Sequence, residues 1–283
     1  MKTLIVILLI LLAIGLFVFM YNRDVFGPQQ ASRNFNVIAH RGASGYAPEN
    51  TLAAVQKALD MGADMVEIDV HLSRDGEVVV IHDPTLERTT SGKGEVSNKT
   101  LTELRQLDAG LWFGEAFRGE KIPTLAEVLQ LIDGKATLLI EIKKGTTGLY
   151  SGIEQKVIDQ INAHQARSWS IIQSFEPEVV QNIHRLDTAL ELHKLITANL
   201  PVLPIHHDGR LHWTSAFSYD YVDAINPHFQ PLTRRFVNMA HKRGLKVFTY
   251  TVNEPSDMRA VRALGVDGII TNYPDLALRL KKD

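Results

Sequence analysis

Short apolar runs alternate with amphipathic stretches along the chain from about residue 36 onward. Apolar runs of about four to eight residues bounded by turn residues indicate buried strands, whereas longer stretches with apolar positions three and four apart indicate helices. The predicted strands are 36–40, 65–71, 137–142, 169–174, 190–195, 222–226, 246–251 and 267–271. The predicted helices are 50–61, 124–133, 151–164, 176–186, 231–243, 254–265 and 274–281. Eight strands joined by helices predict an α/β fold of the TIM type, a closed parallel (β/α)8 barrel.

A hairpin is predicted after the second strand. The turn at 73–76 separates two apolar runs that are too close together for a helical crossover, so the runs should pair in antiparallel fashion. A pairing of Leu72 with Glu77 would place Glu67 opposite His82. The second strand of the hairpin would be a ninth, antiparallel strand. It would instead be one of the eight barrel strands if the prediction of a later strand were wrong.

The segment at about 83–123 interrupts the alternation and is predicted to be a small insertion. It is rich in Thr, Ser and Gly at first and then contains the apolar sequence 111–113. Two interpretations are open. The segment either covers the barrel mouth and shapes access of a substrate, or it is a long loop whose aromatic residues pack back on the barrel.

The N-terminus carries an uncharged apolar run of 18 residues, Thr3 to Met20. A helix rising about 1.5 Å per residue would make this run roughly 27 Å long, close to the thickness of a bilayer's hydrocarbon core. We therefore predict that residues 1–22 form a transmembrane anchor or uncleaved signal, 23–35 a linker and 36–283 the catalytic barrel. We expect a single-pass membrane protein whose barrel lies outside the cytoplasm, although the flanking charges specify orientation poorly.

Composition excludes several kinds of site. The chain contains no cysteine, so disulfides, thiolate metal sites and a cysteine nucleophile are ruled out. The formal charge of −2, with 30 Lys and Arg residues, gives no indication of a nucleic-acid partner.

Carboxylates are predicted to converge from two strands. Side chains alternate faces along a strand, so Glu67 and Asp69 share one face of the strand at 65–71. Glu141 lies on the corresponding face of the strand at 137–142. Buried carboxylates repel one another and are tolerated only where a cation or metal compensates them. Oxygen-only ligands predict a hard divalent ion, Mg²⁺ or Ca²⁺, in preference to zinc.

Basic side chains and histidines also lie at the ends of apolar, strand-like runs. His40 and Arg41 precede a glycine-rich turn that would let the backbone approach an anion, which favours a catalytic interpretation of His40. Lys143 lies two positions after Glu141, and His82 ends the predicted hairpin. These groups together suit hydrolysis of a phosphate ester at a divalent metal.

Seven pieces of the sequence, in the right order, resemble the glycerophosphodiester phosphodiesterase family. They are His40-Arg41-Gly42, Pro48-Glu49-Asn50-Thr51, Glu67-Ile68-Asp69-Val70, His82-Asp83, Ile122-Pro123-Thr124-Leu125, Glu141-Ile142-Lys143 and Asp267-Gly268-Ile269-Ile270-Thr271-Asn272-Tyr273-Pro274. The resemblance implies a TIM-type barrel that hydrolyses glycerophosphodiesters to glycerol 3-phosphate and an alcohol with a divalent metal, often Ca²⁺ or Mg²⁺. It implies metal ligands at Glu67, Asp69 and Glu141, catalytic histidines at His40 and His82, and phosphate contacts at Arg41 and Lys143.

The resemblance leaves the details of the reaction open. One histidine would accept the proton of the nucleophile and the other would protonate the leaving alcohol, in either assignment. The nucleophile would be water or the neighbouring glycerol hydroxyl. Tyr250 stands where these proteins usually carry Trp, which concerns the shape of the substrate pocket.

The substrate is also open on sequence grounds. We expect a small or lipid-derived glycerophosphodiester, with the membrane as partner through the N-terminal segment. The alternatives are a lysophospholipase D or teichoic acid hydrolase built on the same barrel, and a non-enzymatic phosphate-binding protein. The presence of every catalytic side chain argues against the last of these.

Overall fold

The computed structural model of the protein describes residues 35–199, 205–207, 213–215 and 217–282. Its strands are β1 (Asn36–Ala39), β2 (Met65–Leu72), β3 (Val78–Val80), β4 (Thr137–Ile142), β5 (Ser170–Ser174), β6 (Glu191–Ile196), β7 (Ala198–Asn199), β8 (Ile205–His207), β9 (Trp213–Ser215), β10 (Ala224–Pro227), β11 (Lys246–Thr249) and β12 (Gly268–Thr271). Its helices are α1 (Leu52–Met61), α2 (Leu101–Gln106), α3 (Leu125–Ile132), α4 (Ile153–Ala163), α5 (Pro177–Leu186), α6 (Arg234–His241), α7 (Pro255–Leu264) and α8 (Pro274–Lys282).

Eight parallel strands close into a barrel in the order β1-β2-β4-β5-β6-β10-β11-β12, and β12 pairs with β1. The predicted (β/α)8 barrel and its eight strands are thereby confirmed. The second hairpin arm is the antiparallel strand β3 beside β2, and β7, β8 and β9 form a separate antiparallel sheet.

Side-chain alternation divides the barrel into an outer core and a layered interior. Ile68 of β2 and Ile140 of β4 point outward into the core beneath the helices. The inward residues Met65 and Leu139 belong to a small apolar layer inside the barrel, together with Phe248. Further along the same strands the inward positions carry acids, so the apolar layer forms the floor beneath a polar mouth at the carboxyl ends of the strands.

Helix boundaries follow from caps that can be located in the sequence. Thr51 accepts the Ala54 N–H at the start of α1, which therefore begins at Leu52 and not at residue 50 as predicted. Thr124 and Glu127 form a reciprocal capping box at the start of α3. These caps anchor the two helices that flank the strands carrying the acids.

The predicted hairpin register is wrong by one residue. Leu72 pairs with Val78, not with Glu77, so Glu67 does not lie opposite His82 in the ladder. The cause is Ser73, which donates its backbone N–H to the Glu77 carbonyl and accepts the Glu77 N–H at its hydroxyl. These bonds place Ser73 opposite Glu77, so the turn comprises residues 74–76 and every pair in the ladder shifts by one residue.

The segment 83–123 contains α2 and two short 3₁₀ turns. Its apolar residues, among them Leu86 and Ile122, pack against Val79 of β3 and form a core separate from that of the barrel. Trp112 keeps 42% of its surface exposed, and its indole N–H donates to the Ala109 carbonyl within the segment.

Each helix in the described part of the chain is too short or too polar to span a bilayer. The predicted anchor at 1–22 and all but the last residue of the linker at 23–35 lie outside the described residues.

Candidate active site

The three predicted carboxylates meet at the mouth of the barrel. Glu67 and Asp69 project inward from β2, and Glu141 lies on β4 directly beside Asp69 in the strand register. All three residues are buried, and one carboxylate oxygen from each lies within 4.8 Å of the others. The convergence predicted from strand alternation is therefore present.

These carboxylates repel one another strongly. Burial raises the pKa of Glu67 well above its ordinary value, and the neighbouring charges of Asp69 and Glu141 raise it further. Burial likewise raises the pKa of Glu141. The pKa of Asp69 is lowered, because Lys143 and Arg41 together outweigh the opposing effect of its burial. The cluster thus holds more negative charge than its surroundings neutralise.

A divalent cation fits this cluster. Two oxygens bound to one Ca²⁺ at about 2.4 Å can lie at most about 4.8 Å apart, and the three carboxylate oxygens lie within that limit. Three carboxylates against the two cations Arg41 and Lys143 leave one net negative charge, which a divalent ion would reverse. The donor set contains oxygen alone, as hard cations prefer.

Arg41 is fixed by a tight turn and keeps one donor unused. Its backbone N–H donates to Glu67 Oε2 at 2.8 Å, and its Nη1 donates to Glu49 at 2.7 Å. Gly42 follows at φ +78°, and a Cβ there would lie 2.5 Å from the backbone of Ala54 in α1, so only glycine fits. Among the described residues, no acceptor hydrogen-bonds the buried Arg41 Nε, which lies 3.4 Å from Asp69 Oδ2. That N–H therefore faces the Asp69 carboxylate as an ion pair without completing a hydrogen bond.

Lys143 links the carboxylates to a histidine. Its Nζ lies 2.7 Å from Glu141 Oε1, 3.5 Å from Asp69 Oδ1 and 3.1 Å from His82 Nε2. Burial opposes its charge, but Glu141 and Asp69 outweigh burial and raise the pKa of the ammonium. Lys143 is therefore a permanent positive charge between the acids and His82.

The surroundings of His82 determine its tautomer. Its Nδ1 lies 2.6 Å from Asp83 Oδ1, and an ionised carboxylate can only accept, so Nδ1 carries the proton. The unprotonated Nε2 then accepts from Lys143. The pKa of His82 is lowered, because burial and the charges of Lys143 and Arg41 outweigh the opposing effects of Asp69 and Asp83.

His40 has a neutral partner in place of a carboxylate. Its Nδ1 lies 2.7 Å from Asn272 Oδ1, which accepts a hydrogen bond and leaves Nε2 unprotonated in the neutral ring. Burial and the charge of Arg41 lower the pKa of His40 to about 4. The ring is consequently neutral at physiological pH.

Several supporting residues were missed in the sequence. Asn50 donates to Asp69 Oδ2 at 2.8 Å and accepts the Asp69 backbone N–H at 3.1 Å. His71 donates from Nε2 to the His82 carbonyl and accepts at Nδ1 from the Tyr150 hydroxyl. Strand alternation places His71 on the face of Asp69, and that signal could have identified it.

Tyr250, the expected departure from the family pattern, lies beside the site. Its hydroxyl donates to the Ile196 carbonyl at 2.8 Å, and its ring meets Phe175 edge to face. A cavity of about 330 Å³ adjoins this region and is lined by His82, Lys143 and Phe175, among others. The site therefore opens into a space that can take part of a substrate.

Comparisons with known proteins agree with this geometry. Residues 40–276 match the model of the glycerophosphoryl diester phosphodiesterase family. The chain is 42% identical over 245 residues to a glycerophosphodiester phosphodiesterase of Caldanaerobacter subterraneus, covering 86% of this chain and 96% of that one. It is 37% identical over 259 residues to a glycerophosphodiester phosphodiesterase of Bacillus subtilis, covering 87% and 86%. A phosphodiesterase of Oleispira antarctica, solved with its product sn-glycerol-3-phosphate, superposes with a TM-score of 0.75 at 30% identity, covering 88% and 97%.

Proposed function

We propose that this chain, which belongs to the glycerophosphoryl diester phosphodiesterase family, hydrolyses glycerophosphodiesters to sn-glycerol 3-phosphate and an alcohol. The observation that carries the proposal is the meeting of a buried carboxylate triad with Arg41, Lys143 and two histidines at one end of the barrel. Hydrolysis of a phosphodiester requires positive charges that bind the phosphoryl oxygens and two groups that transfer protons, and this site has both.

Glu67, Asp69 and Glu141 would hold a divalent cation, Ca²⁺ or Mg²⁺. Such an ion supplies positive charge for the phosphoryl oxygens as negative charge builds up during substitution at phosphorus. The raised pKa of Glu67 and the oxygen-only donor set support this assignment.

Arg41 and Lys143 would bind the phosphate. The buried Nε–H of Arg41 faces Asp69 Oδ2 at 3.4 Å without a hydrogen bond, and a phosphoryl oxygen that reached it would complete one. Lys143 adds an ammonium that stays charged whatever the pH of the assay, because its pKa is raised. These two groups stabilise the equatorial oxygens of the transition state.

The partners of the two histidines support a division of roles. His40 remains unprotonated, since its pKa is about 4, so it would accept at Nε2 the proton of the attacking water. His82 would deliver a proton from Nε2 to the leaving alcohol in its imidazolium form, in which Nε2 carries a proton and no longer accepts from Lys143. The carboxylate of Asp83 on Nδ1 stabilises that form. The attacking oxygen forms a bond to phosphorus as the bond to the alcohol oxygen breaks.

The direct test is release of glycerol 3-phosphate from glycerophosphocholine by the purified protein, with Ca²⁺ or Mg²⁺ and with chelator. We expect turnover that requires the ion. No product with either ion would overturn the activity, whereas full turnover in chelator would overturn only the metal assignment. Lysophospholipid and teichoic acid in parallel assays would define the range of substrates.

We further propose that the apolar run Thr3 to Met20 anchors the barrel to the outer face of a membrane. The length and lack of charge of that run support the proposal. Protease added to intact cells should cut within 23–35 if the barrel lies outside, and protection until lysis would reverse the orientation.

A further inference from the structure

We infer that Arg88 is a positioning residue that holds His82 and Arg41 in their working orientations at the same time. The inference rests on the proposed phosphodiesterase function. Arg88 lies in the segment 83–123, and its side-chain hydrogen bonds go to Asp83 and Glu49 and not to the triad. It acts through two carboxylates, Asp83 and Glu49, each of which contacts one of the groups that meet the substrate.

The guanidinium of Arg88 uses all three of its nitrogens. Nε donates to Asp83 Oδ2 at 2.6 Å and Nη2 to Asp83 Oδ1 at 3.0 Å. Nη1 donates to Glu49 Oε2 and Nη2 to Glu49 Oε1, both at 2.8 Å. Two carboxylates are thus held in one plane by one planar fork, a geometry that lysine cannot reproduce.

The bonds from Arg88 to Asp83 connect it to His82. Asp83 Oδ1 accepts from His82 Nδ1, and the hydrogen bonds from Arg88 are the main reason that the pKa of Asp83 is lowered. Asp83 therefore stays ionised and stays oriented. Its ionisation fixes the tautomer of His82 and so the direction in which Nε2 presents its proton-transfer site.

The bonds from Arg88 to Glu49 connect it to Arg41. Glu49 Oε1 accepts from Arg41 Nη1 at 2.7 Å as well as from Arg88. Arg88 also keeps Glu49 ionised, since its bonds help lower the pKa of Glu49 against the effect of burial. The bridge thereby directs the Arg41 guanidinium, whose unused Nε–H faces Asp69.

The insertion gives Arg88 a rigid support. Leu86, two residues earlier, is fully buried in the separate core of this segment, and Thr90, two residues later, donates its hydroxyl to the Leu86 carbonyl. The Arg88 side chain is 44% exposed, so its removal leaves no cavity in a core. The segment thus contributes both Asp83, which contacts His82, and the surface arginine that holds it.

The test compares Arg88→Met with Arg118→Ala in the full-length protein. Arg118 is a matched control, because it makes a bidentate pair with Glu115 in the same segment, and within the described part of the chain its hydrogen bonds go to that partner and not to a site residue. Assayed on glycerophosphocholine with Ca²⁺ or Mg²⁺, Arg88→Met should lose about 10- to 100-fold in kcat through His82 and raise KM through Arg41. Arg118→Ala should stay within about twofold of the wild type.

A double-mutant cycle separates positioning from general structural damage. Asp83→Asn should lower kcat sharply in the wild type but by less than about threefold in Arg88→Met, because that variant has already lost the hydrogen bonds that orient Asp83. Arg88→Lys keeps the charge without the fork and should remain at least about fivefold below the wild type in kcat.

Three results would overturn the inference: wild-type kcat and KM in Arg88→Met, full recovery by Arg88→Lys, or additive effects with Asp83→Asn. An inactive wild type would instead refute the proposed function.

Discussion

The two sides of the barrel mouth present the same imidazole in opposite electrostatic settings. On one side, His40 follows β1 and hydrogen-bonds the neutral amide of Asn272, which follows β12. On the other, His82 follows β3 and hydrogen-bonds the carboxylate of Asp83, itself held by Arg88. Burial and the charge of Arg41 lower the pKa of His40 despite its hydrogen bond to Asn272, whereas at His82 the carboxylates of Asp69 and Asp83 oppose the effect of burial. The difference teaches that the charges around an imidazole, and not the residue type, distinguish the proposed base from the proposed acid.

The carboxylates shared by both sides should show the largest effect. Glu67→Gln and Glu141→Gln keep the size of the side chain but remove one charged ligand, so kcat should fall by about 10⁴ on every substrate. Circular dichroism should show a folded barrel, since residues at the catalytic face contribute little to the outer core. Wild-type activity of either variant in chelator would contradict the metal assignment.

Removing each histidine should break the symmetry between the two sides. His40→Ala and His82→Ala should each lower kcat by about 10² to 10³ on glycerophosphocholine, the range expected of a proton-transfer group. A p-nitrophenyl diester has a leaving group that needs no proton, so His82→Ala should recover most of its activity there and His40→Ala should not. The reverse pattern would exchange the two roles.

Giving His40 a carboxylate partner should make it resemble His82. In Asn272→Asp the new carboxylate would raise the pKa of His40 from about 4 by about one unit or more. A base must be unprotonated, so activity is lost as pH falls through this pKa, and the acidic limb of kcat/KM should move to higher pH. Asn253→Asp is a useful control for added charge, because Asn253 accepts the Asn272 N–H and does not touch the ring. An unchanged acidic limb would mean that His40 is not the base.

The smallest expected effect is on the thermal stability that a metal ion adds by binding the carboxylates. Protons compete with a metal ion for Glu67 and Glu141, whose raised pKa values make them bind protons at higher pH than free carboxyls. The rise in Tm on adding Ca²⁺ or Mg²⁺ should be a few degrees at pH 8, given about 2 kcal/mol of binding energy, and should shrink as pH falls to 5. Glu67→Gln should abolish most of the rise. A rise that grows with acidity would contradict the assignment of these ligands.

The sequence alone predicted the parts of the site that depend on local periodicity. The period of two along a strand placed Glu67, Asp69 and Glu141 on inward faces, and that placement is confirmed. Apolar runs of strand length likewise predicted all eight staves of the barrel. Both predictions succeed because each uses only the spacing of neighbouring residues and the burial of one face.

Local periodicity failed where a side chain competed with the backbone for hydrogen bonds. Ser73 bonds to Glu77 through its hydroxyl, and this bond shifted the hairpin by one residue. The alternation pattern in the flanking strands is compatible with both registers, so it could not detect the shift. Register in a hairpin is decided by the geometry of its turn.

Only the tertiary structure decided which partner each catalytic group has. His40 meets Asn272 across 232 residues because β12 closes the barrel against β1, and Arg88 meets Glu49 across 39 residues because the insertion folds back on α1's N-terminal turn. Strand period determines the face on which a side chain lies, but these pairings depend on the closure of the barrel and the packing of a separate small core. The residues of the site were therefore readable from the chain, whereas the charges and tautomers that assign their roles arise from contacts between distant segments.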